Sequence, residues 1–101
     1  MDSPERRRSL RYSVQLPVSI TMAKARVSIA ARSENMSLHG ILIVSDVLIS
    51  EGYVVELQIQ AGSSFLLGGR GQVLRVTPRP SARFAIAVGC ESPFRLDRRE
   101  T

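Results

Sequence analysis

Residues 35–40, Asn35-Met36-Ser37-Leu38-His39-Gly40, form a short polar stretch between two strand-like runs. After it, Ile41-Leu42-Ile43-Val44 is apolar on both faces, the pattern of a short central strand. Before it, Ala25, Val27, Ile29 and Ala31 alternate with Arg26, Ser28, Ala30 and Arg32. That period of two describes a half-buried strand whose polar face carries two arginines. Asn and Ser side chains bond to nearby backbone groups, and glycine reaches dihedrals closed to other residues. Residues 34–40 are therefore expected to be a turn joining these two strands.

The same alternation recurs on either side. Upstream, Tyr12, Val14, Leu16, Val18 and Ile20 alternate with Ser13, Gln15, Pro17, Ser19 and Thr21. Pro17 has no amide proton, which places this strand at an edge or a bulge. Downstream, Val55, Leu57 and Ile59 alternate with Glu56, Gln58 and Gln60 in a fourth strand. A fifth is expected over 71–77, with Arg75 outward and Pro78 and Pro80 ending it. A sixth spans 83–89, with Phe84, Ile86 and Val88 on one face. Gly62-Ser63-Ser64 and Gly68-Gly69 read as breaks, and Phe65-Leu66-Leu67 between them as a short cover over one end. Phe94 and Leu96 read as a cover over an open barrel end. Six short runs without a helical period predict an all-β fold, a small six-stranded antiparallel barrel. Closure removes the edges that so small a sheet would otherwise expose.

The chain has 101 residues, enough for one domain with a modest core. Lys and Arg outnumber Asp and Glu by 14 to 9, and thirteen of the fourteen bases are Arg. Four arginines fall within residues 1–11 against two acids, so that segment reads as a flexible basic arm and residues 12–101 as the barrel. A basic balance favours anionic partners, and the planar Arg fork matches phosphate oxygens or a guanine edge. Cys90 is alone, which excludes an internal disulfide and fits a reducing, cytosolic setting. The charged N-terminus has no apolar run behind it, unlike a secretory signal, and no run approaches the length of a membrane span.

Two polar elements now stand in order. Glu5-Arg6-Arg7-Arg8-Ser9-Leu10-Arg11 holds an Arg-x-x-x-Arg pair, Arg7 and Arg11, directly before the first strand; Asn35-x-Ser37-x-x-Gly40 begins twenty-four residues after Arg11. This arrangement resembles the PilZ domain family, whose signature is Arg-x-x-x-Arg followed by Asp/Asn-x-Ser-x-x-Gly. Gly71-Gln72-Val73-Leu74-Arg75-Val76 and Phe84-Ala85-Ile86-Ala87-Val88 are similar to the family's paired last strands. The resemblance covers about residues 5–90.

The resemblance implies a split-barrel fold that binds the bacterial second messenger cyclic di-GMP, with no cofactor and no metal. By it, Arg7 and Arg11 hold the ligand's phosphates or guanines, Asn35 and Ser37 supply neutral partners, and Gly40 permits the tight backbone that aims them. Arg6 and Arg8 are additional cationic donors. Whether one messenger or a stacked pair binds stays open. Asn at position 35 is within the motif. Many members continue into a C-terminal helix whereas this chain stops at Thr101, the expectation being a minimal member or a domain of a longer protein. The implied role is a receptor in a bacterial cytosol that changes arm conformation and is read by an effector protein or an attached domain.

An enzyme is not expected. There is one His, one Cys, no metal-ligand cluster and no phosphate-cradling glycine motif. Two other readings remain: a PilZ-like interaction module that binds no ligand, and a small barrel that binds nucleic acid. The second needs exposed aromatics for base stacking, and Tyr12 and Phe84 lie in core-facing phase.

Overall fold

The protein is described by a computed structural model over residues 12–22, 24, 26–63 and 65–98. Seven strands make one antiparallel sheet: β1 (Pro17–Met22), β2 (Val27–Ser37), β3 (Gly40–Ser45), β4 (Val54–Gln60), β5 (Phe65–Arg79), β6 (Arg83–Cys90) and β7 (Arg95–Arg98). Their order is β4-β1-β2-β3-β6-β5-β7, and a further pairing of β4 with β5 closes six of them into a barrel. No helix occurs among the described residues. The all-β, six-stranded antiparallel barrel expected from the sequence is the observed architecture.

Alternation explains the core. Val18 and Ile20 of β1, Ile41 and Ile43 of β3, Val55, Leu57 and Ile59 of β4, Val73 of β5, and Ile86 and Val88 of β6 all point inward and are at most 3% exposed. Each buried branched side chain stabilises the fold by about 1.5–3 kcal/mol relative to exposure. Ile49, from the loop between β3 and β4, plugs one end at 2% exposure. Phe94 packs against the core, its ring 2.5 Å from where a Cβ on Gly69 would stand. Phe94 thus packs on the core beside Gly69 of β5, whereas Leu96, expected with it as a cover, is 63% exposed.

Several boundaries differ from the sequence reading. The first strand starts at Pro17, because residues 12–16 pair with β2 only through isolated contacts. Tyr12 is accordingly 60% exposed rather than core-facing. Val27, also expected inward, is 44% exposed near the β1–β2 turn. Phe65-Leu66-Leu67 and Gly68-Gly69 are neither a cover nor a break. They are the first third of β5, hydrogen-bonded to β4 on one side, with Phe65–Gly68 paired to the added strand β7 on the other. Pro78 lies inside β5, where the strand has run past β4 and pairs with β6 alone. A missing amide proton costs nothing on that free side. Pro17 sits the same way: it pairs with Arg32 of β2, while β4 begins pairing only at Val18.

Candidate functional site

The polar motif sits mostly on a strand. β2 continues through Asn35, Met36 and Ser37, and only Leu38 and His39 form the turn before Gly40 opens β3. Met36 is buried in the core, so its neighbours Asn35 and Ser37 belong to the outer face by the period of two. Asn35 is half-buried, Ser37 is 8% exposed, and Ser37 pairs directly with Gly40.

Gly40 does not act as the sequence suggested. Among the described glycines only Gly52, with φ 92°, takes a left-handed conformation. Gly40 is buried and pairs with Gly89 of β6, so two glycines face each other beside Ser37. Leu74 leans onto Gly89, its Cδ1 2.7 Å from where a Cβ on that glycine would stand.

Register extends the motif across the sheet. Asn35 pairs with Leu42, Leu42 with Ala87, and Ala87 with Arg75. These four residues form one outward row over β2, β3, β6 and β5. Three strand spacings make it about 14 Å wide. Leu42 and Ala87 give a half-buried apolar floor, with an amide at one end and an exposed guanidinium at the other. Two β-bulges set this alignment: Glu34 is the extra residue in β2, and Leu74 the extra residue in β5. Arg75, which the sequence left as ordinary surface, joins the site through the second of them.

The chain enters beside this row. The Tyr12 amide donates to the Met36 carbonyl at 2.8 Å, and the Met36 amide donates to the Tyr12 carbonyl at 2.9 Å. Tyr12 therefore lies alongside Met36, the residue between Asn35 and Ser37. Ser33, which sequence reasoning overlooked, anchors the next stretch. Its hydroxyl donates to the Val14 carbonyl and accepts from the Leu16 amide, while its own amide donates to the Leu16 carbonyl. At 2% exposure these groups have no water to replace the lost partner. Ser33→Ala is expected to lower unfolding free energy by about 1–3 kcal/mol, read by urea denaturation.

One ion pair stands beside the row. Glu34 accepts from both terminal nitrogens of Arg79, at 2.9 and 3.0 Å. The Arg79 hydrogen bond holds the Glu34 carboxyl below the usual carboxylate range. The small stability this contributes is present above the ordinary carboxylate pKa and lost as pH falls through the depressed one. Burial pushes the Cys90 thiol up, which leaves it un-ionised and inert at neutral pH. Cys90 instead joins the core, and its amide donates to the His39 carbonyl at 2.8 Å.

A shallow groove of about 1080 Å³ runs over β4, β5 and the connection after β6. His39, Gly89 and Leu74 line its near edge, but neither Asn35 nor Ser37 does. The groove therefore adjoins the row without containing it. Among the described residues no group of three or more His, Cys, Asp or Glu could hold a metal ion. The structure brings Asn35, Ser37 and Gly40 together; Arg6, Arg7, Arg8 and Arg11 lie outside the described residues.

Residues 5–100 match the PilZ domain family. The fold is similar to that of the Bacillus subtilis inhibitor of motility, MotI/DgrA, with TM-score 0.71 and 21% identity over 87% of this chain and 44% of that one. It is also similar to the PilZ domain with c-di-GMP of YcgR from Escherichia coli, with TM-score 0.63 and 16% identity over 90% of this chain and 77% of that one. The chain thus spans less than half of the first of these proteins. At such identities the likeness is one of fold. No protein of curated function matches the sequence.

Proposed function

The chain belongs to the PilZ domain family, and from that premise we propose that it is a receptor domain for cyclic di-GMP rather than an enzyme. The observation that carries this reading is the Tyr12–Met36 pairing. It holds Tyr12, the residue that follows Arg11 in the sequence, beside Met36 on the strand that carries Asn35 and Ser37. Arg7 and Arg11 are the donors to phosphate or to guanine O6 and N7, with Arg6 and Arg8 adding positive charge. Asn35 and Ser37 supply neutral hydrogen-bond partners, Gly40 puts no side chain beside them, and Leu42 and Ala87 support the purine. Arg75 closes the far end of the row.

In this reading residues 1–11 act as the ligand-binding arm and residues 12–101 as the barrel. The messenger folds the arm over the barrel face, and an effector protein or an attached domain reads the result in the cytosol. No helix among the described residues is long and apolar enough to cross a membrane. Titration calorimetry with cyclic di-GMP tests the proposal, with GTP as control. Micromolar or tighter binding of the cyclic dinucleotide alone is the expected result. A folded protein that takes up none, by calorimetry and by a second binding assay, would leave the barrel as an interaction module without ligand.

A further inference from the structure

Glu34 is the extra residue of the β2 bulge and the immediate neighbour of Asn35. An exposed carboxylate at that position opposes any anion held beside Asn35. The structure answers it with Arg79, which comes from the stretch of β5 that has passed β4 and pairs only with β6. Strands β3 and β6 separate β2 from β5 in the sheet, so the pair joins two strands that are not hydrogen-bonded neighbours. Both terminal guanidinium nitrogens of Arg79 are engaged, one on each carboxylate oxygen. Their side chains are 38% and 36% exposed, and ion pairs this open add little to stability. The consequence of the geometry is electrostatic and local to the site.

We propose that Arg79 is a positioning residue for ligand binding: it holds and neutralises Glu34, so that a phosphodiester approaching Asn35 meets a balanced pair instead of a carboxylate. The proposal rests on the receptor reading given above. It makes the two partners unequal, which a merely structural clasp would not. Removing Arg79 leaves the repelling charge in place, whereas removing the charge of Glu34 leaves nothing to neutralise.

A double-mutant cycle separates these cases. Cyclic di-GMP is titrated into the wild-type chain, Arg79→Ala, Glu34→Gln and the double variant at low ionic strength, with thermal melts confirming that each barrel is folded. Arg79→Ala is expected to weaken binding about five- to tenfold, an effect that shrinks at high salt. Glu34→Gln is expected to bind as tightly as wild type or somewhat tighter, and the double variant within about twofold of Glu34→Gln. If Glu34→Gln loses as much affinity as Arg79→Ala, the pair acts as a structural clasp and the proposal fails. If the double variant stays as weak as Arg79→Ala, the arginine contacts the ligand itself, which overturns the proposal equally. A wild-type chain that binds nothing overturns the receptor reading and this inference with it.

Discussion

Replacing Arg7 and Arg11 together by alanine is expected to weaken cyclic di-GMP binding by at least about a hundredfold while leaving the melting temperature within a few degrees of wild type. A hydrogen bond to a charged group contributes about 1.5–3 kcal/mol, and each 1.4 kcal/mol is a factor of ten in affinity. Two arginines that each lose one such bond account for the expected loss, and bidentate contacts would enlarge it. Stability is expected to be spared because, among the described residues, the barrel core of Ile20, Ile43, Leu57, Ile59 and Ile86 begins at Val18, with Val14 and Leu16 only packed against it. Calorimetry and a thermal melt on the same preparation check both halves. Unchanged affinity in the double variant would place the ligand elsewhere, and the groove over β4 and β5 would be the next surface to probe.

Ile86→Ala is expected to have the largest effect on stability, a loss of about 2–5 kcal/mol. Ile86 is fully buried, on the strand between β3 and β5, where it pairs with Ile43 on one side and Val76 on the other. A domain of this size is stable by only about 5–15 kcal/mol, so the variant forfeits a large fraction. Denaturation should shift to lower urea concentration with an unchanged slope. Ile86 also lies directly before Ala87, in the floor of the row from Asn35 to Arg75. Affinity for the messenger should therefore fall moderately in the variant even under conditions where it stays folded.

Much of the barrel was legible in the sequence for a simple reason. Side chains alternate across a strand, and one face must be apolar. Val55, Leu57 and Ile59 of β4 declared both the strand and its inward face. Ile41-Leu42-Ile43-Val44 declared only a strand apolar on both faces, of which Ile41 and Ile43 point inward. All five inward residues are at most 1% exposed. Where glycines carried the strand, the signal vanished. Gly68 and Gly69 looked like a break, yet they lie inside β5, where Gly69 leaves room for the Phe94 ring. Tyr12 misled in the opposite way. Its phase matched the core, but residues 12–16 form no continuous ladder, so phase no longer dictated direction.

The candidate site divides along the same line. Linear order alone sets out the chemistry on offer: Asn35, Ser37 and Gly40 at fixed spacing, a cluster of arginines ahead of the first strand, and a β fold to carry them. Those depend on local order along the chain. Strand pairing and long-range contacts put Arg75 in one row with Asn35, bring Arg79 onto Glu34, and let Ser33 tie residues 14–16 to β2. Each of these joins residues 17 to 45 positions apart, through strand order and two bulges that shift the register. Period-two alternation tells which face a residue takes, but it carries no information about which strand lies next to it.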